Sequence, residues 1–254
     1  MVNKKDVVNF IYNMGSVSVE DICIEFSCSE STARRILKDL SEKKLINRYH
    51  GGATALPNPK MQSHLNSDIM KRANINKEKK MMIARTASKL IKEDSTIILL
   101  GGSTVCELCK YIKNMNITVI TNSILVFNEL QYSSGVKIIL LGGTFDINEY
   151  EVNGILSSMS MNYIRADQLF MGASSFDEIH GFTTAFPAVD LYLTCLKSCL
   201  ESCVLVDSSK YKKGGTAITA RPDQINYLFT DNGLNRQAID TFREKGVKVI
   251  ISDI

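Results

Sequence analysis

Residues 29–53 read SESTARRILKDLSEKKLINRYHGGA, and the first 20 positions after Ser29 decide what this part of the chain can become. Ala33, Ile36, Leu37 and Leu40 fall at i, i+3, i+4 and i+7, the spacing of one helix face. Ser31, Arg34, Arg35 and Lys38 repeat that spacing on another face, as a continuous stripe of hydroxyl and cation. Ser29 is a natural N-cap. Ser29, Ser31 and Thr32 lie at the helix N-terminus, where the dipole favours phosphate. A B-DNA major groove is about 12 Å wide and admits one helix, and arginine is shaped to read guanine in it. Charge alone favours an ordinary solvated helix face.

Outward from this helix, Leu45-Ile46-Asn47-Arg48-Tyr49 is strand-like and runs into His50-Gly51-Gly52-Ala53. Paired glycines permit a sharp turn with positive φ and a close backbone approach. A β-wing presenting Arg48, His50, Gly51 and Gly52 to DNA fits that geometry, although glycine pairs occur in any hairpin. Upstream, Val7, Phe10, Ile11 and Met14 mark a first helix ending before Gly15. Val19, Ile22, Cys23 and Phe26 mark a second, with Ser18 as cap and Asp21 nearly completing a capping box. Only Ser27 and Cys28 separate it from the third, the tight connection of a helix-turn-helix. Charge agrees: residues 29–60 hold seven bases against three acids, residues 1–28 two against four.

Leu56-Pro57-Asn58-Pro59 breaks the pattern, because proline disfavours helix at the residue before it. The expected organisation is a winged helix-turn-helix over 1–56, a linker over 57–76 and a second domain over 77–254. In that domain, strand-length apolar runs occur at 96–100, 117–121, 136–141, 168–171, 203–206, 227–230 and 247–251. Helical spacing fills 81–91, 105–112, 123–130, 191–200 and 234–245. Such alternation predicts an α/β fold around a mostly parallel sheet. Several strand ends carry anion-binding chemistry. Gly101, Gly102, Ser103 and Thr104 enter a helix N-terminus, and Asn122, Gly143 and Lys210 follow other strands. Taken singly, Gly-Gly-Ser-Thr is also an ordinary turn with a cap. It lacks the lysine and spacing of a Walker A loop. In concert, donors at the carboxyl ends of parallel strands predict a ligand crevice.

Composition sets the outer bounds. The 254 residues are 44% hydrophobic and 22% charged, with a formal net charge of +3, as in an ordinary globular chain. No run of 18 apolar residues predicts a transmembrane helix. Lys4, Lys5 and Asp6 exclude a signal-peptide core at the start, so the expected location is cytoplasmic. Seven cysteines are an odd number, against a disulfide framework. Cys106-x-x-Cys109 falls inside a predicted helix, and Cys195, Cys199 and Cys203 recur every four residues; packing explains both better than metal or redox chemistry. His64 and His180 have no carboxylate and nucleophile at a persuasive spacing. No metal or cofactor is expected.

The chain resembles the DeoR family of bacterial transcription regulators. The resemblance is carried by Ser29 to Leu37 with Leu40, by Arg48 and by His50-Gly51-Gly52-Ala53. It continues through Leu100-Gly101-Gly102-Ser103-Thr104, Thr121-Asn122-Ser123, Leu141-Gly142-Gly143, Ala166 to Ala173, Gly181-Phe182-Thr183 and Asp207-Ser208-Ser209-Lys210-Tyr211. Ala33, Ile36, Lys44 and Leu100 stand where the family pattern has isoleucine, aspartate, glycine and aspartate. The resemblance implies a sensor domain similar to ribose-5-phosphate isomerase and a repressor of sugar metabolism that answers to a phosphorylated sugar. In that reading, phosphate bridges the Gly102–Thr104 loop and Lys210, while Asn122 and Gly143 orient sugar hydroxyls. A homo-oligomer on repeated half-sites is expected, because one winged helix reads few base pairs. The alternative is a sugar-phosphate isomerase. Against catalysis, Ser174 and Ser175 follow Met171-Gly172-Ala173 where the isomerases carry acids.

Overall fold

The computed structural model describes residues 2–43, 45–55, 67–184 and 188–252. Pro57, Pro59 and His64, on which part of the expected linker rests, lie outside the described residues, as does Lys44. The chain divides into two compact units, Met1–Leu65 and Asn66–Ile254.

In the first unit the order is α1 (Lys4–Met14), β1 (Ser16–Ser18), α2 (Val19–Glu25), α3 (Glu30–Glu42), β2 (Ile46–Tyr49) and β3 (Gly52–Ala55). The three helices enclose Val7, Ile11, Ile22, Ala33, Leu37 and Leu40. Met14, expected on the buried face of α1, is 63% exposed, at the last position before the Gly15 cap. Ser18 and Asp21 form a full capping box, the carboxylate accepting from Ser18 N at 2.8 Å. Losing such a cap costs about 1 kcal/mol. Ile36, in place of a family aspartate, is buried in the core. Asp39, one turn on, supplies an acid instead: it pairs with Lys4 of α1 at 2.8 Å and Lys43 at 3.2 Å. Hydrogen bonds from these lysines hold its carboxyl below the usual range.

The expected wing is present. β2 and β3 pair antiparallel with Tyr49 opposite Gly52, leaving His50 and Gly51 as a two-residue turn. Gly51 takes φ +97°, open to glycine alone without strain. On its other edge β3 pairs with β1, a three-residue strand too short to carry a periodic signal. Gly52 is buried for a different reason: a side chain there would collide with Val17 O and the Tyr49 ring.

In the second unit, helix α4 (Asp68–Asn74) corrects the expected linker, for Ile69 is fully buried and its N–H donates to Asn148 O at 3.1 Å. Next come α5 (Lys77–Ser88), β4 (Thr96–Leu99), α6 (Ser103–Ile112), β5 (Ile117–Thr121), α7 (Ile124–Leu130) and β6 (Val136–Leu140). They are followed by β7 (Thr144–Asp146), β8 (Glu151–Asn153), α8 (Ile155–Met161), β9 (Ala166–Met171), β10 (Ser175–Asp177) and β11 (Gly181–Thr184). The unit ends with α9 (Val189–Ser198), β12 (Cys199–Leu205), β13 (Ala217–Ala220), β14 (Tyr227–Asp231), α10 (Arg236–Glu244) and β15 (Lys248–Ser252).

All seven strands read from the sequence enter one sheet, ordered β15-β14-β12-β9-β4-β5-β6, with every neighbouring pair parallel. Alternate residues feed two cores: Ile97 and Leu99 face one, Ile98 and Leu100 the other. α9 stops at Ser198, so Cys199 opens a strand and the three cysteines do not share a helix face. The β7–β8 hairpin and the small β10-β11-β13 sheet are additions whose three- and four-residue strands left no usable period. Among the described residues no helix is long and apolar enough to cross a membrane.

Gly52→Ala tests the wing. Overpacking of this kind costs about 1–3 kcal/mol, so amide exchange in β2 and β3 should accelerate roughly tenfold or more. Unchanged protection would show that the hairpin accommodates a side chain.

Candidate nucleic-acid interface and ligand cleft

On α3, Ala33, Ile36, Leu37 and Leu40 are buried, which leaves Ser31, Arg34, Arg35 and Lys38 exposed. The Ser29 hydroxyl caps the helix from Thr32 N at 3.3 Å and lies 3.0 Å from the hydroxyls of both Ser31 and Thr32. Its first role is therefore to start the helix. Arg34 pairs with Glu30 at 3.0 Å along the surface, an exposed i,i+4 contact worth about 0.3–0.5 kcal/mol that an incoming phosphate can replace. Arg48, His50 and Gly51 are exposed on the wing. Gly52 is not, and its place among the expected DNA contacts is corrected to a packing role.

In the sheet, β4 and β9 are neighbours, yet the chain leaves them in opposite directions: β4 toward β5 and β6, β9 toward β12, β14 and β15. Ligands of open parallel sheets bind beyond the strand ends at such a point. A cleft of about 500 Å³, counting its open mouth, lies there. Gly101, Gly102, Ser103 and Thr104 follow β4, Gly172 to Ser174 follow β9, and Val206, Asp207 and Lys210 follow β12. Gly102, at φ +133°, is the N-cap of α6 and brings no side chain to it, leaving first-turn N–H groups to face an anion.

Two cations not expected from the sequence join Lys210: Arg72 from α4 and Lys80 from α5. Arg72 pairs with Glu149. Lys80 is buried and donates to the carbonyls of Arg72 and of Ile75, the latter at 2.7 Å. Burial lowers the affinity of both Lys80 and Lys210 for their protons, and Arg72 opposes the charge on each. A bound anion would relieve that penalty. A sequence signal for Lys80 existed: with Ile83, Ala84 and Ala87 it completes i, i+3, i+4, i+7, a cation inside an apolar stripe.

The remaining expected ligand residues lie elsewhere. Asn122 is fully buried; its Oδ1 accepts from Gly101 N at 3.1 Å and its Nδ2 donates to Val152 O at 3.2 Å. It ties the β4 loop to β8. Gly143 packs against Asn153 and Ser157 and does not line the cleft. Glu151, which sequence reasoning missed, does line it. Cys106 is pushed up to about 12, mainly by burial, and Cys109 is raised well above the ordinary thiol value for the same reason. Both behave as packing residues.

A winged helix with an exposed cation stripe defines the class: a DNA-binding transcriptional regulator. Comparison with known proteins agrees. A model of the DeoR-like helix-turn-helix domain matches residues 4–58, and one of the DeoR C terminal sensor domain matches residues 75–232. The chain is 30% identical to the HTH-type transcriptional regulator GolR of Listeria innocua, over 97% of this chain and 96% of that one. It is 29% identical to the lactose phosphotransferase system repressor of Lactococcus lactis, over 96% and 97%. Ribose 5-phosphate isomerase A of Methanocaldococcus jannaschii aligns with a TM-score of 0.41 at 20% identity, over 54% of this chain and 56% of that one. The chain belongs to the DeoR family.

Replacing Arg34 or Arg35 with Ala should cost about 1–3 kcal/mol of operator binding, whereas Lys38→Ala should mainly flatten its salt dependence. Gel shifts across a salt series measure both. Wild-type affinity in the double arginine variant would remove α3 from the interface.

Proposed function

We propose that the protein represses a sugar-related operon and leaves its operator when a phosphorylated sugar fills the cleft. The observation that carries this is the convergence of the α6 N-terminus with Arg72, Lys80 and Lys210 around one opening. Backbone N–H groups and a helix dipole suit a phosphate dianion, and the lysines balance its charge. The name of the Lactococcus lactis relative supports a sugar connection. Ligand affects DNA affinity only to the extent that it binds the DNA-free state more tightly. A homo-oligomer belongs to the proposal, since operator selection needs more base pairs than one winged helix reads.

One observation favours catalysis instead: burial, with repulsion from Glu149 second, pushes the Glu151 carboxyl in the cleft up to about 7, a general-base value. The regulator reading extends further, because the relatives of known type are regulators along their whole length. Deuterium incorporation into sugar phosphates incubated with the protein in heavy water separates the two. The regulator reading expects none.

Lys210→Ala should bind operator with wild-type affinity and lose at least about tenfold in its response to sugar phosphate, as expected for a charge-assisted contact. Gel shifts with increasing sugar phosphate measure this. An unaltered response would exclude Lys210 from the site.

A further inference from the structure

The acid that lines the cleft has no partner that accounts for its charge. Glu151 is 5% exposed, and among the described residues no lysine or arginine forms an ion pair with it. Arg72, the nearby guanidinium, is engaged with Glu149 instead. Burying an acid without a cation is unfavourable, and a packing role alone would be served equally well by an amide.

Its position, however, is tightly specified. Asn122 Nδ2 donates to Glu151 Oε2 at 3.3 Å, while Asn122 Oδ1 accepts from Gly101 N. A side chain at Gly101 would overlap the Glu151 carboxyl. The acid is thus seated directly over the loop that opens α6, one residue before the Gly102 cap. It comes from β8, a different segment, and lines the same cleft as Ser103 and Lys210.

We infer that Glu151 is the sugar-selecting residue of the cleft: with phosphate at the α6 N-terminus, its carboxyl binds a hydroxyl of the attached carbon skeleton. The inference rests on the cleft's being a sugar-phosphate site and adds the chemistry that tells a phosphorylated polyol from a bare phosphate. A carboxyl accepts from a hydroxyl, and in its protonated form can also donate to one. The raised proton affinity of this group keeps both forms accessible near neutral pH. Orientation is supplied by the protein, since Asn122 Nδ2, shared with Val152 O and Asn153 Oδ1, donates to one carboxyl oxygen. Leu100, directly before the glycine loop, is buried in the core and offers the ligand nothing polar. The carboxyl instead comes to the loop from β8.

The test is calorimetric titration of the full-length protein with inorganic phosphate and with a panel of pentose and hexose phosphates. It is run on wild type, Glu151→Gln and Glu151→Ala. The readout is the ratio of the best sugar-phosphate affinity to the phosphate affinity. In wild type it should be large, and in Glu151→Ala it should fall at least about tenfold, the effect of losing a hydrogen bond to a charged group. Glu151→Gln keeps the shape and an acceptor for Asn122, so it guards against misfolding of the alanine variant; it should fall by about three- to fivefold, as a neutral group replaces a charged one. A ratio within twofold of wild type in a folded variant would overturn the inference and leave the anion site standing. Equal affinity of wild type for phosphate and all sugars would do the same. Wild type that binds neither phosphate nor any sugar phosphate would instead overturn the reading of the cleft itself, and the inference with it.

Discussion

Two windings that leave β4 and β9 in opposite directions cannot both cover the carboxyl ends of those strands, and the gap they leave governs the second unit. The opening follows from sheet order before any side chain is considered. Loops leaving β4, β9 and β12 form part of its margin, and α4, α5 and β8 supply Arg72, Lys80 and Glu151 to the rest. Gly101 and Gly102 let one of these loops turn into a helix without obstructing the space. The remainder of the unit, with hydrophobic layers on both faces of the sheet, holds those strand ends in place.

The parts legible from sequence are those whose signal is local and periodic. Seven apolar runs became seven strands of a single sheet, and three short amphipathic runs became the helices of the first unit. The Gly102–Thr104 loop and Lys210 were readable as cleft candidates because each follows a strand of the parallel sheet. Arg72 and Lys80 were harder to recognise, the first lying inside the expected linker over 57–76 and the second just past its end. Asn122 was misjudged for a physical reason: a buried amide can satisfy loop backbone as well as ligand, and spacing does not distinguish the two. Glu151 left no trace, because its significance depends on a hairpin folding back over a loop some fifty residues earlier in the chain.

The first unit shows how a small motif tolerates substitution at a family position. Ile36 fills the core where an acid is usual, and Asp39 joins α3 to α1 through Lys4. The buried face of α3 holds the exposed arginines in place, and the Asp39–Lys4 pair adds a surface tie to α1. The paired wing glycines divide their work: Gly51 supplies the turn, and Gly52 makes room for Tyr49, whose hydroxyl donates to Val17 O at 3.2 Å.

Helix α4 bears on where this protein can be cut. The family model of its second domain begins at residue 75, after α4 has ended at Asn74. A fragment starting there would discard Ile69 from its interior and Arg72 from its cleft, and would leave Lys80 with the Ile75 carbonyl but without that of Arg72. A fragment that keeps the cleft wall whole has to begin ahead of Asp68, where α4 starts.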